Sequence, residues 1–293
     1  MKRIMRKSLT AVSLGLVMLG AGVRAQSFQD TSFESNGIRI RYIEAGSGTP
    51  VVLVHGYSRF LESNWINPGV VAALSKDHRV IAYDLPGHGR SGKPYEPSAY
   101  RDMANDPIRL MDHLGIQRAH LIGYSMGGGI VARLAVTHPE RLITAILGGH
   151  SGYRDWEADD EKSYEDSARE LETDVPFRSL ASVAVAGVKP TEEQIRSVSA
   201  ALAAENDVKA LAAVRRGGFR GLYNMREEIA AIRVPLLMIY GSLDSVGSGK
   251  TMQSILPSAK LVVIEGATHG GERAAVRAPE FLAAVREFIA AHR

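Results

Sequence analysis

Ser125, Asp244 and His269 each follow a short apolar run, and their side chains are the ones nucleophilic catalysis requires. Ser125 lies in Gly123-Tyr124-Ser125-Met126-Gly127, behind Ala119-His120-Leu121-Ile122 and ahead of a helix-like segment from Gly128 to His138 that Pro139 closes. A serine on a sharp strand-to-helix turn presents its hydroxyl to a base and a substrate. The flanking glycines suit a turn in which backbone segments approach too closely for a Cβ. A serine hydroxyl is a poor nucleophile unless a base takes its proton as it attacks, and a neutral imidazole suits that role.

Of the nine histidines, His269 sits in Glu265-Gly266-Ala267-Thr268-His269-Gly270-Gly271, just past the last apolar run. That is the strand C-terminal rim where ligands bind in open α/β sheets. His55 adjoins Gly56 in a turn, His88 lies in a Gly-rich loop, and His78, His113, His138 and His292 lie in or beside helical segments. The base needs a carboxylate to hold its tautomer and stabilise its charged form. Asp244 reaches the same rim in Tyr240-Gly241-Ser242-Leu243-Asp244. Asp84 also follows a strand, but it precedes the serine in a Gly-rich loop that favours a turn-fixing role, so Asp244 is preferred. The oxyanion formed on attack needs two preorganised N–H donors. The backbone amides of Met126, after the nucleophile, and of Tyr57, in His55-Gly56-Tyr57-Ser58, are the expected pair. The Tyr57 and Tyr124 side chains either line the pocket or pack.

The elements that must position these groups alternate along the chain. Gly37 to Ile43 alternates in period two, as in a half-exposed strand. Val51–Val54, Val80–Tyr83, His120–Ile122, Leu142–Leu147, Leu236–Ile239 and Leu261–Ile264 are continuous apolar runs that suit strands buried on both faces of a parallel sheet. Helices are expected from Asn67-Pro68 with Val70, Val71 and Leu74 as the apolar stripe, over 99–114 with a stop at Gly115, and over 279–291. The pattern predicts a doubly wound α/β sheet. Residues 151–230 contain no convincing strand and read as a helical insert, with Tyr164, Ala168 and Leu171 at helical spacing. Its charge is polarised: 155–174 hold ten acids against Lys162 and Arg169, and 215–226 hold Arg215, Arg216, Arg220 and Arg226 without an acid. Two solvated faces, paired with each other, are the favoured reading; the other is an acidic pocket mouth that disfavours anionic substrates.

The net charge of +3 belongs to the N-terminus. Lys2, Arg3, Arg6, Lys7 and Arg24 lie in residues 1–25 without an acid. An apolar run from Leu9 to about Gly22 and the small residues of Val23-Arg24-Ala25 complete a secretory signal peptide. The run is short of the roughly 20 residues that span a bilayer, so cleavage after Ala25 is expected over a stable membrane anchor. Removing five of the 35 basic residues leaves 30 against 32 acids, a net charge of −2. Nucleic-acid binding thereby loses its support. Without cysteine, disulfides and a thiol nucleophile are excluded.

The chain resembles the α/β-hydrolase fold superfamily. The His55-Gly56 turn, the Asp84–Ser91 loop (D-x-x-G-x-G-x-S), the G-x-S-x-G elbow at Ser125, the G-x-x-D turn at Asp244 and the G-x-x-H loop at His269 occur in the family's order. The resemblance implies a mostly parallel eight-stranded sheet with helices on both faces, the core formed by 26–150 and 231–293, and a helical cap at 151–230. Serine at 125 differs from the dehalogenase and epoxide hydrolase branches, which carry aspartate there, and one glycine after His55 differs from the H-G-G-G lipase group. The expected activity is that of an exported serine esterase, periplasmic or secreted, on a small-molecule ester, without cofactor or metal. C–C bond hydrolysis, lactone hydrolysis or perhydrolysis on the same triad is the alternative, and a non-catalytic ligand-binding member is disfavoured by the intact triad. Oligomeric state has no sequence signal.

Overall fold

The structure is a computed structural model that describes residues 28–154, 158–182 and 189–292. The segment expected to be a signal peptide, 1–25, lies outside the described residues. Eight strands form one sheet: β1 (Thr31–Ser35), β2 (Ile38–Ala45), β3 (Pro50–Val54), β4 (Arg79–Tyr83), β5 (Ala119–Tyr124), β6 (Leu142–Gly148), β7 (Leu236–Gly241) and β8 (Lys260–Ile264). Their spatial order is β1-β2-β4-β3-β5-β6-β7-β8. β2 pairs antiparallel with β1 and β4, and every pair from β4 to β8 is parallel. The helices are α1 (Val70–Leu74), α2 (Asp106–His113), α3 (Met126–Thr137), α4 (Ala158–Leu171), α5 (Arg178–Ala181), α6 (Glu192–Glu205), α7 (Val208–Gly218), α8 (Arg226–Ala230), α9 (Val246–Ile255) and α10 (Pro279–Ala290).

Alternating side chains of the central strands feed two cores, one on each face of the sheet. Val52, Val54, Leu121 and Leu147 join Leu110, Ile130 and Leu134 of α2 and α3. Val51, Leu53, Ile122 and Ile239 join Val71 of α1 and Phe281 and Val285 of α10. Full burial of each such side chain stabilises the fold by about 1.5–3 kcal/mol.

The apolar runs expected to be strands are all strands, but three local expectations differ. The helix expected at Asn67-Pro68 starts two residues later. Those residues sit in a turn after a π-helical segment, Glu62–Ile66, and Gly69, with φ 79°, is the N-cap. The helix expected over 99–114 breaks into two 3₁₀ turns and α2, because Pro107 lacks the N–H an uninterrupted helix would need. β8 is not buried on both faces: it is the outermost strand, with one neighbour, and Val263 is exposed. β2 departs from its alternating pattern as well. Arg41 is buried in a network with Asp30, Glu62 and Asp84, so the strand is covered over Ile40–Ile43. β1, short and polar, gave no apolar run.

α4 to α8 all lie between β6 and β7, and among the described residues that segment contains no strand. Ala168 and Leu171 are buried against Leu211 of α7. The two charged stretches pair with each other: Arg216 bridges Glu165 (2.9 Å) and Glu172 (2.7 Å), and Arg220 meets Glu161 (2.8 Å).

Three buried histidines and the partly buried His150 set a pH dependence. Burial lowers the pKa of His55, His120 and His150 to about 4 each, and burial with repulsion from His55 lowers His88 to about 3. Below the ordinary histidine value near 6.5 the unfolded chain binds protons that the folded chain refuses, so this stability is present above pH ~6.5 and lost on acidification toward ~4. Asp106 acts oppositely. Burial raises it to about 6, so its contribution is present below pH ~4 and lost as pH rises through ~6. Four groups oppose one. The urea midpoint is therefore expected to fall between pH 7 and pH 5, and a constant or rising midpoint would show that these rings are not held neutral.

Candidate active site

β5 is buried over its whole length and runs into α3 through Ser125, whose backbone sits at φ 53°, ψ −121°. A side chain rarely adopts this conformation, which costs about 1–3 kcal/mol and persists only where surroundings enforce it. The enforcement is visible. The Ser125 N–H donates to Gly148 O (2.7 Å), and the Gly128 and Gly129 amides donate to Ser125 O (2.8 and 3.2 Å). A Cβ at Gly123 would collide with the Gly127 carbonyl, and one at Gly127 with the Val54 carbonyl. The glycines let the elbow close on itself and on β3, leaving the Ser125 hydroxyl at the sheet's C-terminal edge.

Two further loops meet it there. After β7 a turn fixes Asp244, whose N–H donates to Gly241 O (3.1 Å), while the Leu243 N–H donates to Ala267 O (3.0 Å) and ties this turn to the loop after β8. In that loop the Thr268 N–H donates to Arg273 O (2.9 Å), and Tyr124 Oη donates to His269 O (2.8 Å). The outcome is one line of contacts: Ser125 Oγ lies 2.9 Å from His269 Nε2, and His269 Nδ1 lies 2.8 Å from Asp244 Oδ2. The Asp244 side chain is 4% exposed and its other oxygen accepts the Ser245 N–H (2.6 Å); the His269 side chain is 43% exposed. The carboxylate is thus shielded while the imidazole faces the open side. With Asp244 accepting from Nδ1–H, Nε2 is left as the acceptor for the serine proton.

The third contributor is the turn after β3. A Cβ at Gly56 would stand 3.1 Å from Ser125 Cβ, so this turn abuts the nucleophile. The Gly56 N–H donates to the buried Asn64 Oδ1 (3.1 Å) and the Arg59 N–H to Gly56 O (3.2 Å). Among the described residues the Tyr57 and Met126 amides have no protein acceptor, and Met126 opens α3, where the dipole favours negative charge.

Both tyrosine side chains pack rather than line an open pocket. Tyr57 Oη donates to Leu211 O (3.0 Å), with its ring between His88, Phe219 and Arg215. Burial raises its pKa to about 12, so the hydroxyl stays a donor. Tyr124 lies under the His269 loop against Phe281. Asp84 is fully buried and accepts from the Leu61 and Arg90 amides (2.8 and 2.9 Å) and from Arg41 Nη1 (3.1 Å), which is the turn-fixing role expected of it. His55 also serves the turn, donating from Nδ1 to Gly56 O (2.8 Å) and accepting the Leu85 N–H (2.9 Å) at Nε2.

A second histidine neighbours the site. His150 follows β6 and packs on α3, its Cβ facing Gly128 and its ring facing Gly129. Its Nδ1 accepts the Gly152 N–H (2.8 Å), which leaves the proton on Nε2 of the neutral ring. The rule that singled out His269, a position just past a strand's C-terminus, applies to it as well.

Residues 49–271 match the alpha/beta hydrolase fold family, and the chain belongs to it. It is 30% identical to the 2-hydroxy-6-oxo-6-(2'-aminophenyl)hexa-2,4-dienoic acid hydrolase of Metapseudomonas resinovorans, over 76% of this chain and 77% of that protein. It is 28% identical to the pimeloyl-(acyl-carrier protein) methyl ester esterase of Aeromonas hydrophila, over 76% of this chain and 89% of that protein. Among solved structures, the bromoperoxidase from Bacillus anthracis superposes with a TM-score of 0.68 at 26% identity, covering 90% of this chain and 100% of that one. Other curated relatives match more strongly over a shorter stretch, and the chain covers only 32, 36 and 41% of their lengths. The relatives thus include esterases, C–C bond hydrolases and peroxidases.

Proposed function

We propose that this protein is an exported serine hydrolase that cleaves small carboxylic esters through an acyl-enzyme. The observation that carries the reading is the unbroken contact line from Ser125 Oγ through His269 to the shielded Asp244 carboxylate. Ser125 Oγ attacks the ester carbonyl as His269 Nε2 takes its proton, and Asp244 stabilises the resulting imidazolium. The Tyr57 and Met126 amides receive the oxyanion. Collapse expels the alkoxide, which leaves as an alcohol with the proton from His269. Water, deprotonated by His269, then attacks the acyl-enzyme, and the carboxylic acid departs as Ser125 regains its proton. The matched esterase, covered over 89% of its length, supports the ester assignment. The matched dienoic acid hydrolase keeps C–C bond hydrolysis as a second reading on the same three residues.

A fluorophosphonate probe is expected to label the wild type at Ser125. Ser125→Ala should abolish labelling and lower p-nitrophenyl ester turnover by about 10⁴-fold or more, since the nucleophile acts as one unit with its base. Equal turnover by the two proteins, with equal urea midpoints, would refute the serine mechanism.

Export rests on the basic cluster Lys2–Lys7, the apolar run after it and the small residues before Gln26. N-terminal sequencing of the protein from the periplasm or medium should begin at Gln26. Protein that retains Met1 and stays in the cytoplasm would contradict export.

A further inference from the structure

Arg59, like Arg215 and Arg277, meets no carboxylate among the described residues, but Arg215 lies over the Tyr57 and Phe219 rings. Arg41, Arg90, Arg109 and Arg216 all meet carboxylates. Arg59 is half-buried, yet it makes no ion pair or side-chain hydrogen bond with any described residue. Its backbone is fixed by the catalytic turn itself. The Arg59 N–H donates to Gly56 O (3.2 Å), the preceding Ser58 is held at φ 55°, and Ser58 O accepts from Asn206 Nδ2 at the end of α6 (3.4 Å). From there the side chain reaches from the β3 loop to the β8 loop. Its Nη2 lies 3.9 Å from where a Cβ of Gly270 would stand, one residue from His269.

The charges that reach this guanidinium are few and opposed. Burial lowers its pKa below the ordinary guanidinium value, the Glu205 carboxylate partly offsets that, and Arg277 adds to it. Glu205 stays beyond ion-pair distance. Of the acids of α4 and its following turn, Glu161, Glu165 and Glu172 are engaged by Arg220 and Arg216, and Glu170 accepts from Ser179. A partly desolvated guanidinium without a counter-ion is unfavourable until an anion arrives to compensate it. Its planar fork fits a carboxylate through two parallel N–H···O bonds.

We infer that Arg59 binds an ionised carboxylate on the substrate, and that the preferred substrates are half-esters of dicarboxylic acids, with the ester at Ser125 and the free carboxylate at Arg59. The inference rests on the ester-hydrolase reading. It also sets aside the expectation of an acidic mouth that repels anions.

The test compares p-nitrophenyl hemiglutarate with p-nitrophenyl valerate, which has the same acyl length without the carboxylate, on wild type, Arg59→Met and Arg59→Lys. A lost charged hydrogen bond should lower the hemiglutarate-to-valerate ratio of kcat/KM by about 10- to 100-fold in Arg59→Met, mainly through KM, with partial recovery in Arg59→Lys. The ratio is insensitive to the fraction of each variant that folds. A ratio unchanged within about twofold overturns the inference while leaving the esterase reading intact. If the wild type hydrolyses neither ester, the esterase reading fails, and calorimetry with glutarate decides the anion site. Binding to wild type that Arg59→Met abolishes supports it, and equal or absent binding overturns it.

Discussion

The site depends on one strained residue held by a rigid sheet. Ser125 keeps a backbone conformation that an isolated chain would avoid, because β5 lies in the middle of the sheet and both of its neighbours grip the elbow. β6 takes the Ser125 amide through Gly148 O, and β3 packs against Gly127 so closely that a methyl group would not fit. A strain of about 1–3 kcal/mol is small beside the burial of the two cores, each formed by many side chains worth about 1.5–3 kcal/mol. The same neighbours touch the rest of the site: the β3 turn brings the Tyr57 amide, and Gly149, just past β6, abuts the His269 ring and the Asp244 carboxylate that the β8 and β7 loops supply. Holding the elbow therefore also sets the spacing of the site.

Charge is handled in three ways around this frame. Structural histidines are buried neutral with backbone partners, as His55 is between Gly56 and Leu85. Structural ions are paired, as Arg41 is with Asp30, Glu62 and Asp84. In the cleft the pattern changes. Asp244 is shielded but spends one oxygen on His269, while Arg59 is half-covered and unmatched.

Much of this was legible in the sequence because the chemistry sits at strand ends. Continuous apolar runs located the buried parallel strands, and the residues just past them supplied Ser125, Asp244 and His269, which the fold brings within hydrogen-bond distance. What escaped depended on tertiary context. Arg41 reads as the polar member of an alternating strand, yet it is buried because three acids from distant segments converge on it. Leu261–Ile264 reads as a central strand, but its place at the sheet edge is set by strand order, which local composition does not encode. The π-helical segment at Glu62–Ile66 displaced the cap expected at Asn67, and the same segment brings Asn64 to Gly56. Arg59 belongs to no motif in the sequence; only the fold sets it beside the His269 loop, without an ion-pair partner among the described residues.

The central claim is that Ser125 becomes covalently acylated in each turnover. Rapid acid quench of p-nitrophenyl acetate hydrolysis, followed by intact mass measurement and peptide mapping, tests it directly. The account requires an acetyl group on the peptide that contains Ser125 during turnover and its disappearance once substrate is exhausted. Product released at full rate by a protein whose mass never changes, with quench times shorter than one turnover, would contradict it.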